Sequence, residues 1–173
     1  KYHFMKTIKF LILSIMLISF YNCEDDGPNL QDIQSVTVED LHAPQEGGQG
    51  QPISGQFTKF DFETGSETNS QTDWDIAFRG TSIIVNGGIS LGTNDEPERT
   101  GDAGVYIFNG TMTEMVVVDT SLITQDSSEG YAIASGSGNG WYTYTGPPTY
   151  LISPTPGKIL VFRTSCLLYT SDA

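Results

Sequence analysis

Basic residues are scarce in this chain: 8 lysines and arginines stand against 21 acids, a formal charge of −13 over 173 residues. A chain this acidic does not neutralise phosphates, so nucleic acid is excluded as a partner, and anionic ligands meet repulsion from most directions. Cysteine is nearly absent. With only Cys23 and Cys166, and Cys23 reading as a modified N-terminus, neither an intramolecular disulfide nor a multi-cysteine metal site can be built. Histidine occurs only as His3 and His42, so no nucleophile and histidine pair is available for a catalytic triad of the usual form, and the chain reads as a non-enzyme. Long apolar runs are missing too. The one run, Phe10 to Phe20, is too short to span a bilayer.

That run follows Lys6 and Lys9, and together they read as an export signal over residues 1–22, with Met5 as the start and residues 1–4 as upstream translation. Cys23 stands where a lipoprotein signal peptidase would cut, which makes its thiol the expected site of lipid attachment. Phe20-Tyr21-Asn22 is bulkier than the usual preceding triplet, so a plain secretory signal is the alternative. Removal of residues 1–22 would take the charge to −16. Glu24, Asp25 and Asp26 resemble the acidic surface-export signal of Bacteroidetes lipoproteins, which implies display on the outer face of the outer membrane; a solvated linker would have the same composition.

Residues 23–52 read as an acidic, glycine-rich tether in which Val36, Val38 and Leu41 allow one edge strand. The domain is expected over 53–165. Nineteen glycines and eight prolines announce many turns; Phe57, Phe60 and Phe62 before a polar stretch read as a strand and then a turn, and alternation recurs at Trp74, Ile76 and Phe78 against Asp75, Ala77 and Arg79, then at Trp141 to Thr145, with Lys158 to Arg163 a final strand. This predicts a single all-β domain of antiparallel strands with long loops and little helix. Asn86-Gly87-Gly88 predicts a tight turn. Val105–Phe108, Asn109-Gly110 and Met112–Val118 predict a hairpin, and Asp119 or Thr120 could cap a short helix.

FDFETG at Phe60–Gly65, DWDIAFR at Asp73–Arg79, IIVNGG at Ile83–Gly88, GWYTY at Gly140–Tyr144 and KILVFRTS at Lys158–Ser165 resemble the HmuY family, over about Gly55 to Ser165. The resemblance implies a β-rich surface lipoprotein that captures haem between two projecting loop regions and delivers it to a TonB-dependent outer-membrane transporter. One departure is the end: the family continues past FRTS with a further strand, whereas residues 166–173 resemble translated adapter sequence, which would leave a sheet edge unpaired.

The two histidine ligands of the best-described family mode have no counterpart here, since His42 falls in the tether. Thioether ligation is the substitute, which points to Met112 and Met115. Three residues apart on a strand, they would face opposite ways, so Met112 is the better ligand and Met115 the better core residue. Trp141, Tyr142, Tyr144 and Tyr150 could sandwich the macrocycle, or Tyr could ligate ferric iron; cross-strand packing is the competing reading. Arg79 and Arg99 are the candidates for the propionates, against an ordinary solvated role. Asp73 and Asp75 suggest a polar outer face more than a carboxylate pair, and Asp95, Glu96, Glu98 and Asp102 read as solvated acids more than a calcium loop. The rival function is a fold of this family that has lost haem and recognises another small ligand, a glycan or a protein.

Overall fold

The computed structural model describes residues 35–48, 50–166 and, as backbone, the strand at 169–172. The signal segment and Cys23 lie outside the described residues. Eleven short strands occur among the described residues: β1 (Glu46–Gly48), β2 (Gln51–Ser54), β3 (Thr58–Asp61), β4 (Ser66–Thr68), β5 (Ile76–Arg79), β6 (Ser82–Val85), β7 (Gly104–Asn109), β8 (Tyr142–Tyr144), β9 (Ile152–Pro154), β10 (Lys158–Arg163) and β11 (Tyr169–Asp172). Every ladder is antiparallel. One sheet has the order β4-β3-β5-β6, another β11-β10-β7, and β1-β2 and β8-β9 are separate hairpins. The fold is all-β.

Strand register decides which side chains share a face. Ile76 opposes Val85 and Phe78 opposes Ile83, and these meet Phe60 from β3 and Val105 and Phe162 from the β7–β10 ladder in the largest core cluster. Each such side chain contributes about 1.5–3 kcal/mol by leaving water. The opposite face of β5 and β6 is also buried, because Ala77 opposes Ile84 and both pack with Phe57 and Trp74. Trp74 therefore does not share the face of Ile76. It precedes β5, and the chain reorients at Asp75 before regular alternation starts. The outer face of the β7–β10 ladder carries Tyr106, Ile159 and Val161, covered by Met115, Val118 and Ile123.

Several expected turns fall elsewhere. β5 and β6 are joined by Gly80-Thr81, with Arg79 opposite Ser82 and Gly80 at φ +55, a glycine at the first central position as a two-residue hairpin favours. Asn86-Gly87-Gly88 is no hairpin turn but a point of close approach: a Cβ on Gly87 would sit 1.9 Å from the Ala103 carbonyl oxygen, and one on Gly88 2.0 Å from that of Asp126. The Met112–Val118 strand does not form, and β7 pairs with β10 instead. The physical reason is local. Thr111 donates from its N–H (2.8 Å) and its hydroxyl (2.9 Å) to Oε2 of Glu114, while the Glu114 N–H returns to the Thr111 carbonyl (3.0 Å). This Thr-x-x-Glu box coils the chain where a ladder would need it extended. Asp119 caps a single 3-10 turn, Thr120–Leu122, by accepting from the Ser121 N–H.

The N-terminal side is more ordered than a tether requires. β1 and β2 pair within 46–54, Gly80 donates to the Ala43 carbonyl (2.7 Å), and the Thr58 hydroxyl donates to that of exposed His42 (2.7 Å). At the other end, the edge of β10 expected to lie open is paired with β11.

Candidate functional site

The motif residues turn inward. Arg79, expected to meet propionates or solvent, is only 3% exposed: Nη1 donates to the carbonyls of Gly55 (3.2 Å) and Asn94, Nη2 donates to the Thr93 hydroxyl (3.1 Å), and the guanidinium lies 4.1 Å from the centroid of the Phe57 ring. Its Nε is buried without a hydrogen-bond partner among the described residues. Asp75 is not on a polar outer face with Asp73. Its carboxylate accepts the N–H of Phe62 (2.8 Å) and of Ser165 (2.6 Å), tying β3 to the end of β10, while Asp73 stays exposed and caps Ser70 and Thr72. Asn86 is fully buried. Its amide donates to the carbonyls of Thr72 (3.0 Å) and Trp74 (2.8 Å) and accepts from the N–H of Thr100 (2.7 Å) and Gly101 (3.1 Å), so all four of its hydrogen-bonding positions are used.

Beside it runs a buried ionic chain that the sequence did not reveal. Arg99 donates to Glu96 (2.6 Å) and to Asp126 (2.7 Å), all three side chains almost wholly shielded from water. Burial alone would push Glu96 up, but the N–H and hydroxyl of Thr93, the N–H of Leu91 and the Arg99 charge outweigh it and hold the carboxyl below its ordinary value. In Asp126 the balance reverses: burial raises it despite the N–H of Ala132, the Arg99 charge and the N–H of Val85. Burial likewise pushes up the Tyr131 phenol, which meets the Thr93 hydroxyl at 3.1 Å. Glu96 is thus structural rather than solvated. Asp95 accepts from the Gly55 N–H and Asp102 pairs with Arg163, and among the described residues no three or more His, Cys, Asp or Glu groups are placed to hold a metal ion.

The aromatic candidates divide in two. Trp141 and Tyr142 form a root: the indole N–H donates to the Thr81 carbonyl (2.9 Å), the Thr81 hydroxyl donates to the Tyr142 phenol (3.3 Å), and the two rings lie 5.1 Å apart. Lys158 fixes the same root by donating to the Gly140 carbonyl (2.7 Å). Beyond it the β8–β9 hairpin projects, carrying exposed Tyr144, Leu151, Ile152 and, 63% exposed at its tip, Tyr150. The Tyr150 backbone sits at φ +51, a conformation that a bulky side chain seldom adopts, held by its N–H on the Gly146 carbonyl (2.7 Å).

The methionines divide in the same way. Met115 packs with Tyr106, Ile159 and Val161 and is core; Met112 is 46% exposed, on a loop with Val116 (86%) and Val117 (78%). This loop and the hairpin leave the same end of the β7–β10 ladder, where the Gly110 N–H donates to the Gly157 carbonyl (2.8 Å). A sequence signal for the hairpin existed. From Gly130 to Gly157 there is no charged residue, the longest uncharged stretch of the sequence.

No protein-family model, curated protein or solved structure matches the chain.

Proposed function

We propose that this protein is a non-enzymatic haem-capture lipoprotein of the HmuY type, anchored through Cys23 to the outer membrane and serving a TonB-dependent transporter. The observation that carries the reading is the pair of segments leaving one end of the β7–β10 ladder, because they hold exposed Met112, Val116 and Val117 on one side and Tyr144, Tyr150, Leu151 and Ile152 on the other. Exposed apolar side chains gathered on two neighbouring projections are what capture of a flat apolar ring needs. Met112 supplies a thioether for ferrous iron and Tyr150 a phenol for ferric iron. Trp141, Tyr142 and Met115 support these segments from within, and Arg79 is spent on Gly55, Asn94 and Thr93, so none of the four touches the ligand.

Titrating the full chain with haemin, oxidised and then reduced, and following the Soret and visible bands tests this reading. Saturable binding with a ligand-field spectrum that changes on Met112→Ala in the reduced form, and on Tyr150→Phe in the oxidised form, is the expected outcome. Spectra identical to free haemin in both redox states would sink haem capture and favour a recognition module that uses the same hairpin for a glycan, a protein or another small ligand.

A further inference from the structure

We infer that the site selects against anionic groups, so that a porphyrin is held by its apolar ring with its carboxylates left in solvent, and an uncharged porphyrin ester is the better ligand. This rests on the haem-capture reading. The warrant is where the positive charge has gone. All five lysine and arginine side chains among the described residues have acceptors within the protein: Lys59 on the Ser70 carbonyl, Arg79 on two carbonyls and Thr93, Arg99 on Glu96 and Asp126, Lys158 on the Gly140 carbonyl and Arg163 on Asp102. Neither projecting segment carries a cation. The hairpin has no charge of either sign, and the loop carries exposed Glu114 beside Met112.

The usual clamp for a propionate is a guanidinium with free donors facing the ligand. Here Arg79 and Arg99 are consumed by the fold, and the charge that remains on the projecting segments is the exposed acid Glu114. In water, one carboxylate about 10 Å from one such acid loses roughly twofold in affinity. A dianionic porphyrin carries that penalty twice.

Spectroscopic titration of the full chain compares iron protoporphyrin with its dimethyl ester, which shares metal and macrocycle, in one cosolvent. Salt is varied from about 0.01 M to about 1 M, over which the Debye length falls from about 30 Å to about 3 Å. The ester should bind roughly fourfold more tightly at low salt, the gap should close as salt rises, and Thr149→Lys should narrow it at low salt. A diacid that binds more tightly than the ester and weakens with salt would overturn the inference while leaving haem capture standing. Failure of both porphyrins at every salt concentration would overturn the capture reading beneath it.

Discussion

The region around Asn86 and the β8–β9 hairpin reverse the ordinary distribution of side chains. In the first, Arg79, Glu96, Arg99 and Asp126 are buried; in the second, Tyr150, Leu151 and Ile152 are exposed. Burying charge is costly unless its groups find partners, and this region is accordingly dense in hydrogen bonds between loop and sheet, Arg79 Nε being a buried donor left without one. Exposing apolar surface carries a smaller cost and leaves material for binding. On the proposed reading the two regions divide scaffold from site, and the motifs most visible in the sequence belong to the scaffold.

The sharpest way to break that division is at Asp126. Its carboxylate accepts from Arg99 and from the N–H groups of Val85 and Ala132, so Asp126→Ala leaves buried Arg99 with Glu96 as its one remaining carboxylate, unpairs two backbone N–H groups, and should cost about 3–5 kcal/mol in denaturant unfolding. Asn86→Ala should cost somewhat less, about 3 kcal/mol, since the stranded groups are backbone ones that water can partly reach. A loss under 1 kcal/mol at either position would mean the polar core is not what fixes this region.

Acid titration of stability separates the two carboxylates around Arg99. The depressed value of Glu96 gives stability that is complete above its ordinary 4.5 and is lost as pH falls through the lower folded value. Asp126 acts oppositely: with its value raised, its contribution is complete below 3.8 and is lost as pH rises through the folded value, so it offsets part of the acid loss. Glu96→Gln should flatten the fall of stability on acidification, and Asp126→Asn should steepen it. Parallel curves for the two variants would show that the pair does not titrate as described.

At the hairpin and loop the expected stability effects are smallest. Met112→Ala and Tyr150→Ala remove exposed side chains and should change unfolding free energy by no more than about 0.5 kcal/mol while altering haemin spectra. A large destabilisation at Tyr150 would place it in the scaffold instead.

Period-two alternation made the all-β class legible, along with β3, β5, β7, β8 and β10 within a residue or two. Which strands pair was not legible, because a turn dipeptide such as Asn109-Gly110 is ambiguous when a Thr-x-x-Glu box follows and consumes the second strand. Nor could alternation tell that both faces of β5 are covered, so Asp75 and Arg79 looked like surface residues; a strand buried on both sides can hold polar groups wherever the opposing loop brings partners. Met112 was expected to be exposed and Met115 to be core from opposite faces of a strand that does not form; the exposure and burial agree, but they arise from the coiled loop after Thr111. Tyr150, the most exposed tyrosine of the hairpin, was marked only by its place in the uncharged run.

Hydrogen exchange with mass spectrometry, on the full chain with and without haemin, tests most directly whether binding lies on the projecting segments. Added protection confined to Thr111–Val118 and Thr143–Ile152, with Trp74–Asn86 unchanged from its already protected state, is the expected result. Protection concentrated at Trp74–Asn86, or none at either projection under conditions where haemin is bound, would contradict the division of scaffold from site.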